Sequence, residues 1–248
     1  MADERPDMPT PPGRKPRKPR KAAPARQPLT QDVIVDTAIR VLDAEGLEAA
    51  TMRRVAQELG TGAASLYAHV SGKEELRELM LDRVAGEVRL PVPDPARWQE
   101  QLKDLAVEIR RVFTSHRDVA QVSMGLIPTG PNLLAIAEAQ LALMRAGGVP
   151  PRIAALAVDT LGMFVDADAI EGTLYAAKLS GGAEAMEKFH GYLGEIRDFF
   201  KALPADRYPN VAAMADALTS ESGEARFEFG LDILVRGIAS YVDAPEPS

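Results

Sequence analysis

The chain has 248 residues, 46% hydrophobic and 5% aromatic, with no cysteine and a net charge of −7. This composition predicts a globular protein of one large or two modest domains, and it excludes disulfides, thiol catalysis and zinc sites that need thiolates. The absence of cysteine, of an apolar run of membrane-spanning length and of a secretory signal favours a cytoplasmic protein.

The N-terminal segment, residues 1–28, differs from the rest of the chain in composition. It holds eight basic and three acidic residues and few large apolar ones. This composition predicts a disordered basic tail, which precedes the acidic remainder of the chain. The run GRKPRKPRK at residues 13–21 favours nonspecific contact with DNA phosphates over insertion into a minor groove. A solvated tail without a partner is the alternative.

A first helix is predicted from Thr30, a favourable N-cap residue, to about Gly46. Thr51 can cap a second helix, in which Val55, Ala56 and Leu59 recur at helical spacing. Gly60 follows this helix directly, at a position where the end of a helix favours a residue that can adopt positive φ.

Residues 63–70 predict another short helix, with Leu66 and Val70 facing the second. Two short helices joined by this turn are typical of a helix-turn-helix, although two core helices that merely pack would share the apolar spacing. The outward residues favour DNA, because all are hydrogen-bond donors suited to phosphates and base edges: Arg53, Thr61, Ser65, Tyr67, His69 and Lys73.

Ser71 and Glu74 have the spacing of a capping box at the start of a fourth helix over residues 73–88. A proline-rich link then marks a domain boundary near residue 92. Further helices are predicted at 95–115, 131–146, 151–180, 183–203, 211–218 and 223–242, with a turn at 116–121 and an irregular segment at 124–130. The fold class is therefore all-α. The predicted domains are 29–90 and 91–243, flanked by disordered ends at 1–28 and 244–248.

The segment at 29–90 resembles the DNA-binding domain of the TetR family of transcriptional repressors. The pattern Leu-Tyr-x-His-Val-x-x-Lys within MRRVAQELGTGAASLYAHVSGKEEL carries the resemblance. HRDVAQVSMG, the segment from Gly162 to Glu171 and FEFGLDILVRGI also resemble a C-terminal domain of the tetracycline-repressor type. The resemblance implies an N-terminal three-helix DNA-binding domain followed by a larger helical domain for ligand binding and dimerisation.

The resemblance implies that Arg53 and Ser65 reach base edges, and that Tyr67 and Lys73 grip phosphates. His69 would lie beside a phosphate or a base, or alternatively pack half-buried between the two helices. Because small alanines stand where tetracycline repressors have larger side chains, base reading would depend on Arg53, Ser65 and Thr61.

The resemblance further implies a homodimer formed by helices 151–180 and 223–243, a palindromic DNA operator and a hydrophobic or mixed small-molecule effector. We expect the effector to lie among residues that are equally suited to plain core packing: Trp98, Leu102, Phe113, Met124, Leu126, Ile127, Leu134, Met144, Met163, Phe164 and Asp168.

Ser123 stands where tetracycline repressors have a histidine that chelates magnesium-tetracycline. Glu171 matches an acidic residue near that metal but cannot hold it alone. We therefore expect no magnesium-tetracycline binding, no resident metal and no cofactor. Asp168 and Glu171 share a helix face, as the paired carboxylates of a hydrolase would. A helix face exposed to solvent or at the rim of the dimer explains them better, and no catalytic motif accompanies them. We therefore expect that the protein is not an enzyme.

The expected function is a TetR-like repressor that binds its operator as a homodimer and is released by a small molecule. The alternatives are a ligand-independent or activating regulator with the same fold, and a nucleoid-associated protein that acts through the basic tail.

Overall fold

The computed structural model describes residues 28–124, 126–178, 182–220 and 222–242. These residues form twelve α-helices and no β-strand, which confirms the all-α prediction. The two predicted disordered ends lie outside the described residues, apart from Pro28.

The N-terminal part contains α1 (Gln31–Glu45), α2 (Met52–Glu58), α3 (Ala63–Leu66) and α4 (Lys73–Ala85). The Thr30 and Thr51 side chains accept hydrogen bonds from the third residues that follow them, so both predicted N-caps are confirmed. α1 packs against α2 and α4, and α2 packs against α3. Large side chains that are fully buried join these helices, among them Ile34, Leu42, Leu66 and Leu76.

Two helix ends and one capping motif in this part differ from the prediction. α3 ends at Leu66 rather than at residue 70, because the Leu66 carbonyl accepts from both His69 N and Val70 N and so closes the helix as a turn. α4 ends at Ala85, because Glu87 N and Val88 N donate to the carbonyls three residues before them and so continue the chain as a turn. The capping box is absent, because the Ser71 N–H donates to Glu75 instead of Glu74.

The C-terminal part contains α5 (Trp98–Ser115), α6 (Val119–Ser123), α7 (Pro131–Ala146), α8 (Pro151–Lys178), α9 (Ala183–Lys201), α10 (Pro209–Ala213), α11 (Ala215–Ser220) and α12 (Gly223–Ala239). α5 is the central helix, in contact with α4, α7, α8 and α12. α9 packs mainly against α10 and α11. One hydrophobic core runs from α1 to α12, so α4 belongs to both parts of the protein.

Two short elements differ from the sequence prediction. The predicted turn at 116–121 contains the start of α6, because Asp118 adopts a left-handed conformation (φ 60°) from which a new helix begins. The predicted helix at 211–218 is two helices that meet at Met214, and this arrangement buries Ala215.

Candidate DNA-binding surface and ligand-binding domain

The turn between α2 and α3 closes with a Schellman motif. Thr61 N donates to the Ala56 carbonyl at 2.9 Å and Gly60 N donates to the Gln57 carbonyl at 3.0 Å, while Gly60 takes φ 63°. These bonds satisfy the last carbonyls of α2 and fix the direction in which α3 leaves. The motif requires positive φ at this position, which explains the glycine at the end of α2.

Packing turns the predicted donors outward. Leu66 and Val70 are fully buried, so the remaining faces of α3 and its following turn are directed to solvent. Tyr67 is 56% exposed, and Arg53, Ser65 and His69 are also exposed, whereas Thr61 and Lys73 are half-buried. The exposure of His69 does not support the alternative that it packs between the helices. All six donors lie on or beside the helix-turn-helix, which is the arrangement that groove contact requires.

The two neighbouring arginines of α2 are in different electrostatic environments. Arg54 is paired with Glu45 at 2.6 Å and with Glu58 at 2.8 Å, so it ties α1 to α2. Arg53 makes no ion pair within the described residues, and the same holds for Lys73 at the start of α4. Arg53 and Lys73 are therefore uncompensated cations available to an anionic partner.

Asp118 connects the two parts of the protein. Its Oδ2 accepts a hydrogen bond from Leu47 N, just beyond α1, at 3.1 Å. Because Asp118 immediately precedes α6, the start of that helix is held against the end of α1. This hydrogen bond therefore links α6 of the larger domain to the end of α1 in the DNA-binding part.

His116 and Arg117 make a second connection at this place. The His116 ring lies between Asp43 Oδ2 at 3.0 Å and Glu87 Oε1 at 3.2 Å, and Arg117 N donates to Asp43 Oδ1 at 3.1 Å. We call residues 116–118 the junction loop. It contacts both the end of α1 and the segment after α4.

Asp118→Ala should lower the free energy of unfolding by about 1–3 kcal/mol, because it leaves the Leu47 N–H without its acceptor and places alanine in a left-handed conformation. Asp118→Asn should retain most of the stability, because asparagine tolerates this conformation and keeps a side-chain oxygen. Urea unfolding of both variants measures the difference. Equal losses would contradict this role.

Asp82 of α4 caps the N-terminus of α7. Its Oδ1 accepts from Asn132 N at 2.9 Å and from Leu133 N at 3.0 Å, and Asn132 Nδ2 donates back to the Asp82 carbonyl at 3.0 Å. A Cβ on Gly130 would lie 2.2 Å from Asp82 Oδ1, so the glycine permits this close approach. The bonds couple α4, which supports the DNA-binding helices, to α7 of the larger domain.

The candidate ligand residues differ widely in accessibility. Trp98, Leu102, Phe113 and Met144 are buried, and Trp98 packs directly on Gly147. Leu126 and Phe164 are half-buried, and Phe164 stacks on Phe227 with 5.3 Å between ring centroids. The following residues are exposed: Met124, Ile127, Leu134 and Met163. The four buried residues fit core packing.

Three acidic residues of α8 have distinct partners. Asp168, a candidate ligand contact, pairs with Arg110 of α5 at 2.5 Å, and Glu171 pairs with Arg226 of α12 at 2.7 Å. Asp166 is buried at 8% exposure and lies beside Ser123 of α6. Burial raises the pKa of Asp166 to about 6.

No group of three or more histidine, aspartate or glutamate side chains suited to a metal occurs in the described part of the chain. None of the helices described is long and apolar enough to cross a bilayer.

Sequence reasoning missed the roles of Asp82 and Asp118. The bonds that define these roles join each aspartate to residues 50 or more positions away, and no local pattern marks such partners. The burial of Asp166 could have been predicted from the sequence. Gly162, Asp166 and Ala169 have the spacing of one helix face, and the apolar residues around them predict that this face of α8 is buried.

Family models match both parts of the chain. The model described as "Bacterial regulatory proteins, tetR family" matches residues 34–80, and the model described as "Tetracyclin repressor-like, C-terminal domain" matches residues 90–242.

Relatives match over most of their length. The HTH-type transcriptional repressor DrrR1 of Streptomyces coeruleorubidus is 33% identical over 224 residues, which cover 87% of this chain and 80% of DrrR1. An HTH-type transcriptional regulator of Saccharopolyspora erythraea is 32% identical over 220 residues, covering 86% of this chain and 85% of the relative. The crystal structure of Streptomyces coelicolor ActR in complex with actinorhodin is similar with a TM-score of 0.78 and 42% identity, covering 88% of this chain and 99% of ActR.

Proposed function

We propose that this chain, which belongs to the TetR family of bacterial transcriptional regulators, is a homodimeric repressor that binds a palindromic operator and is released by a small-molecule effector. The observation that carries the proposal is the set of exposed donors on the helix-turn-helix, with Arg53 and Lys73 lacking ion-pair partners in the described residues. The ligand-bound structure of ActR supports the effector.

The dimer is supported by exposed apolar side chains on α8 and α12. Leu156 and Met163 lie one heptad apart on α8, and Phe229 and Ile233 lie one turn apart on α12, all four more than half exposed. Pairing of these two helices with their symmetry mates would bury the four side chains in a four-helix bundle. A two-fold dimer then requires a palindromic operator with half-sites about 34–36 Å apart.

The effector would act by binding more tightly to a state in which the two DNA-binding domains are wrongly spaced. Two connections in the structure can transmit such a change. One is the Asp82 cap, which joins α4 to α7, and the other is the junction loop, which joins α6 to α1. Because Ser123 replaces the chelating histidine of tetracycline repressors, we expect no magnesium-dependent release by tetracycline.

Arg53→Ala should reduce operator affinity by about 1–3 kcal/mol and relax the preference for one base position, because it removes a base-edge contact. Lys73→Ala should weaken binding about evenly across sequences and lower the salt dependence, because it removes a phosphate contact. Fluorescence anisotropy with the operator and with single-base variants measures both effects.

Arg207→Ala is the matched control, because this arginine lies far along the chain between α9 and α10. An unchanged base preference in Arg53→Ala would contradict its assignment.

Deletion of residues 1–28 separates this proposal from a nucleoid-associated protein that acts through its tail. The truncated chain should keep its sequence preference and show a shallower dependence of affinity on salt, because only nonspecific phosphate contacts are removed. Loss of the sequence preference on deletion would favour the tail-based function. A ligand-independent or activating regulator is distinguished by footprint position and by operator binding with and without cell metabolites.

A further inference from the structure

The guanidinium group of Arg77 on α4 has donors that the described part of the protein leaves unused. The side chain is only 23% exposed, and its Nε is buried without a hydrogen-bond partner. The terminal nitrogens lie 3.8 Å from Glu48 and 3.7 Å from Glu74, which is beyond hydrogen-bond distance in both cases. Both glutamates are mostly exposed, and loose ion pairs with such groups contribute little to stability.

Arg77 lies between the starts of two helices of the DNA-binding part. It follows Lys73 by four residues, so the two side chains share one face of α4 with Cβ atoms about 6 Å apart. Its other neighbour, Glu48, belongs to the segment that leads into α2, three residues before the N-cap Thr51. Each of these helix starts carries a cation without an ion pair in the described residues, Lys73 on α4 and Arg53 on α2.

We propose that Arg77 contacts a DNA phosphate in the operator complex. Its terminal nitrogens would exchange the loose pairs with Glu48 and Glu74 for charge-assisted hydrogen bonds to phosphate oxygens, while Nε stays buried. The planar fork of a guanidinium matches the geometry of a phosphate. This assignment rests on the proposed DNA-binding function and adds to it a residue outside the six outward donors.

The unsatisfied Nε supports a role in binding over a role in folding. A buried donor without an acceptor lowers stability, and an unbranched apolar side chain at this position would avoid that cost. Arg77→Met keeps the length of the stem and removes the charge. It should therefore unfold at the same urea concentration as the wild type or at a higher one.

The binding test compares Arg77→Met with the wild-type dimer by fluorescence anisotropy over a series of salt concentrations. The probes are the consensus duplex selected from a random pool and a duplex of random sequence and equal length. Arg77→Met should weaken binding about fivefold on both probes, because a phosphate carries no sequence information. The slope of log affinity against log salt should become shallower by about one for each subunit, hence by about two for the dimer.

Two further variants separate a phosphate contact from other effects of the substitution. Arg77→Lys keeps the charge and should retain the wild-type salt slope. Arg89→Met removes the same charge from a mostly exposed position beyond the end of α4, where its partner Glu108 keeps a second bond to Arg111. This control should bind with a slope close to that of the wild type.

A double-mutant cycle tests the exchange of partners. Glu48→Gln removes a competitor of the phosphate, so it should tighten binding more in the wild type than in Arg77→Met. An equal gain in both backgrounds would show that Glu48 acts only through general repulsion of DNA, and it would overturn the exchange.

Unchanged affinity and slope in Arg77→Met would overturn the assignment. A lower affinity with an unchanged salt slope would also overturn it, because Arg77 would then act through packing alone. If the wild type prefers the consensus duplex while Arg77→Met binds as the wild type does, the role of Arg77 fails and the proposed repressor stands. If the wild type binds the consensus and random duplexes equally, the proposed function itself fails.

Discussion

Replacing Ile233 with glutamate should separate the proposed dimer into monomers and weaken operator binding about a hundredfold or more. Ile233 is 54% exposed and Phe229, one turn before it on α12, is 69% exposed. In the proposed bundle the two-fold axis would bring the new carboxylates of both subunits into a desolvated interface without partners, which is strongly unfavourable. A monomer contacts one half-site, and a hundredfold loss of affinity corresponds to about 2.8 kcal/mol.

Analytical ultracentrifugation and DNA-binding anisotropy measure the two effects. Val92→Glu is the matched control, because Val92 is an exposed apolar residue of the link between the domains and lies outside α8 and α12. This control should remain dimeric and bind normally. An Ile233→Glu variant that stays dimeric with unchanged affinity would show that the subunits pair elsewhere.

Asp166→Asn should stabilise the protein at pH 7. Burial raises the folded-state pKa of Asp166 to about 6 from its ordinary value of 3.8, so keeping the carboxylate ionised at pH 7 costs the folded state about 3 kcal/mol. Asparagine removes this charge at nearly the same side-chain volume. The free energy of unfolding should therefore rise by up to about 3 kcal/mol at pH 7.

The sign of the pH dependence distinguishes this explanation from a simple packing effect. Between pH 6 and about 4 the folded wild type takes up a proton that the unfolded chain does not yet bind, so its disadvantage relative to Asp166→Asn should shrink and disappear near pH 4. Chemical denaturation of both proteins at pH 7, 5.5 and 4 measures the difference. A constant difference at all three values, or a less stable variant at pH 7, would contradict the assignment.

Local chemistry was sufficient to predict most of the helices. Thr30 and Thr51 act as N-caps, Pro131 and Pro151 begin helices, and Gly60 ends one, each through contacts within a few residues along the chain. Local patterns also predicted that the hydrogen-bond donors of the helix-turn-helix point outward. Leu66 and Val70 are buried, and their positions determine which faces of the helix remain exposed to solvent.

The features that were missed depend on distant partners. α6 begins directly after Asp118, whose left-handed conformation accompanies a hydrogen bond that its side chain accepts from Leu47 N. Asp82 was an unremarked position of α4, yet it caps α7 through residues that lie 50 positions further along. For the ligand-binding domain, the family resemblance indicated residues such as Leu102 and Met144, which the structure places in the core. An apolar side chain at such a position suits ordinary packing as well as the lining of a cavity.

Selection of bound duplexes from a random pool, followed by sequencing, tests the central claim most directly. A homodimer that reads DNA with two symmetry-related helix-turn-helix units should enrich a two-fold symmetric consensus, with half-site centres about one helical turn apart and one dimer bound per site. Arg53→Ala should relax that consensus at the same position in both halves. A consensus without two-fold symmetry, or enrichment of no sequence at all, would contradict the account.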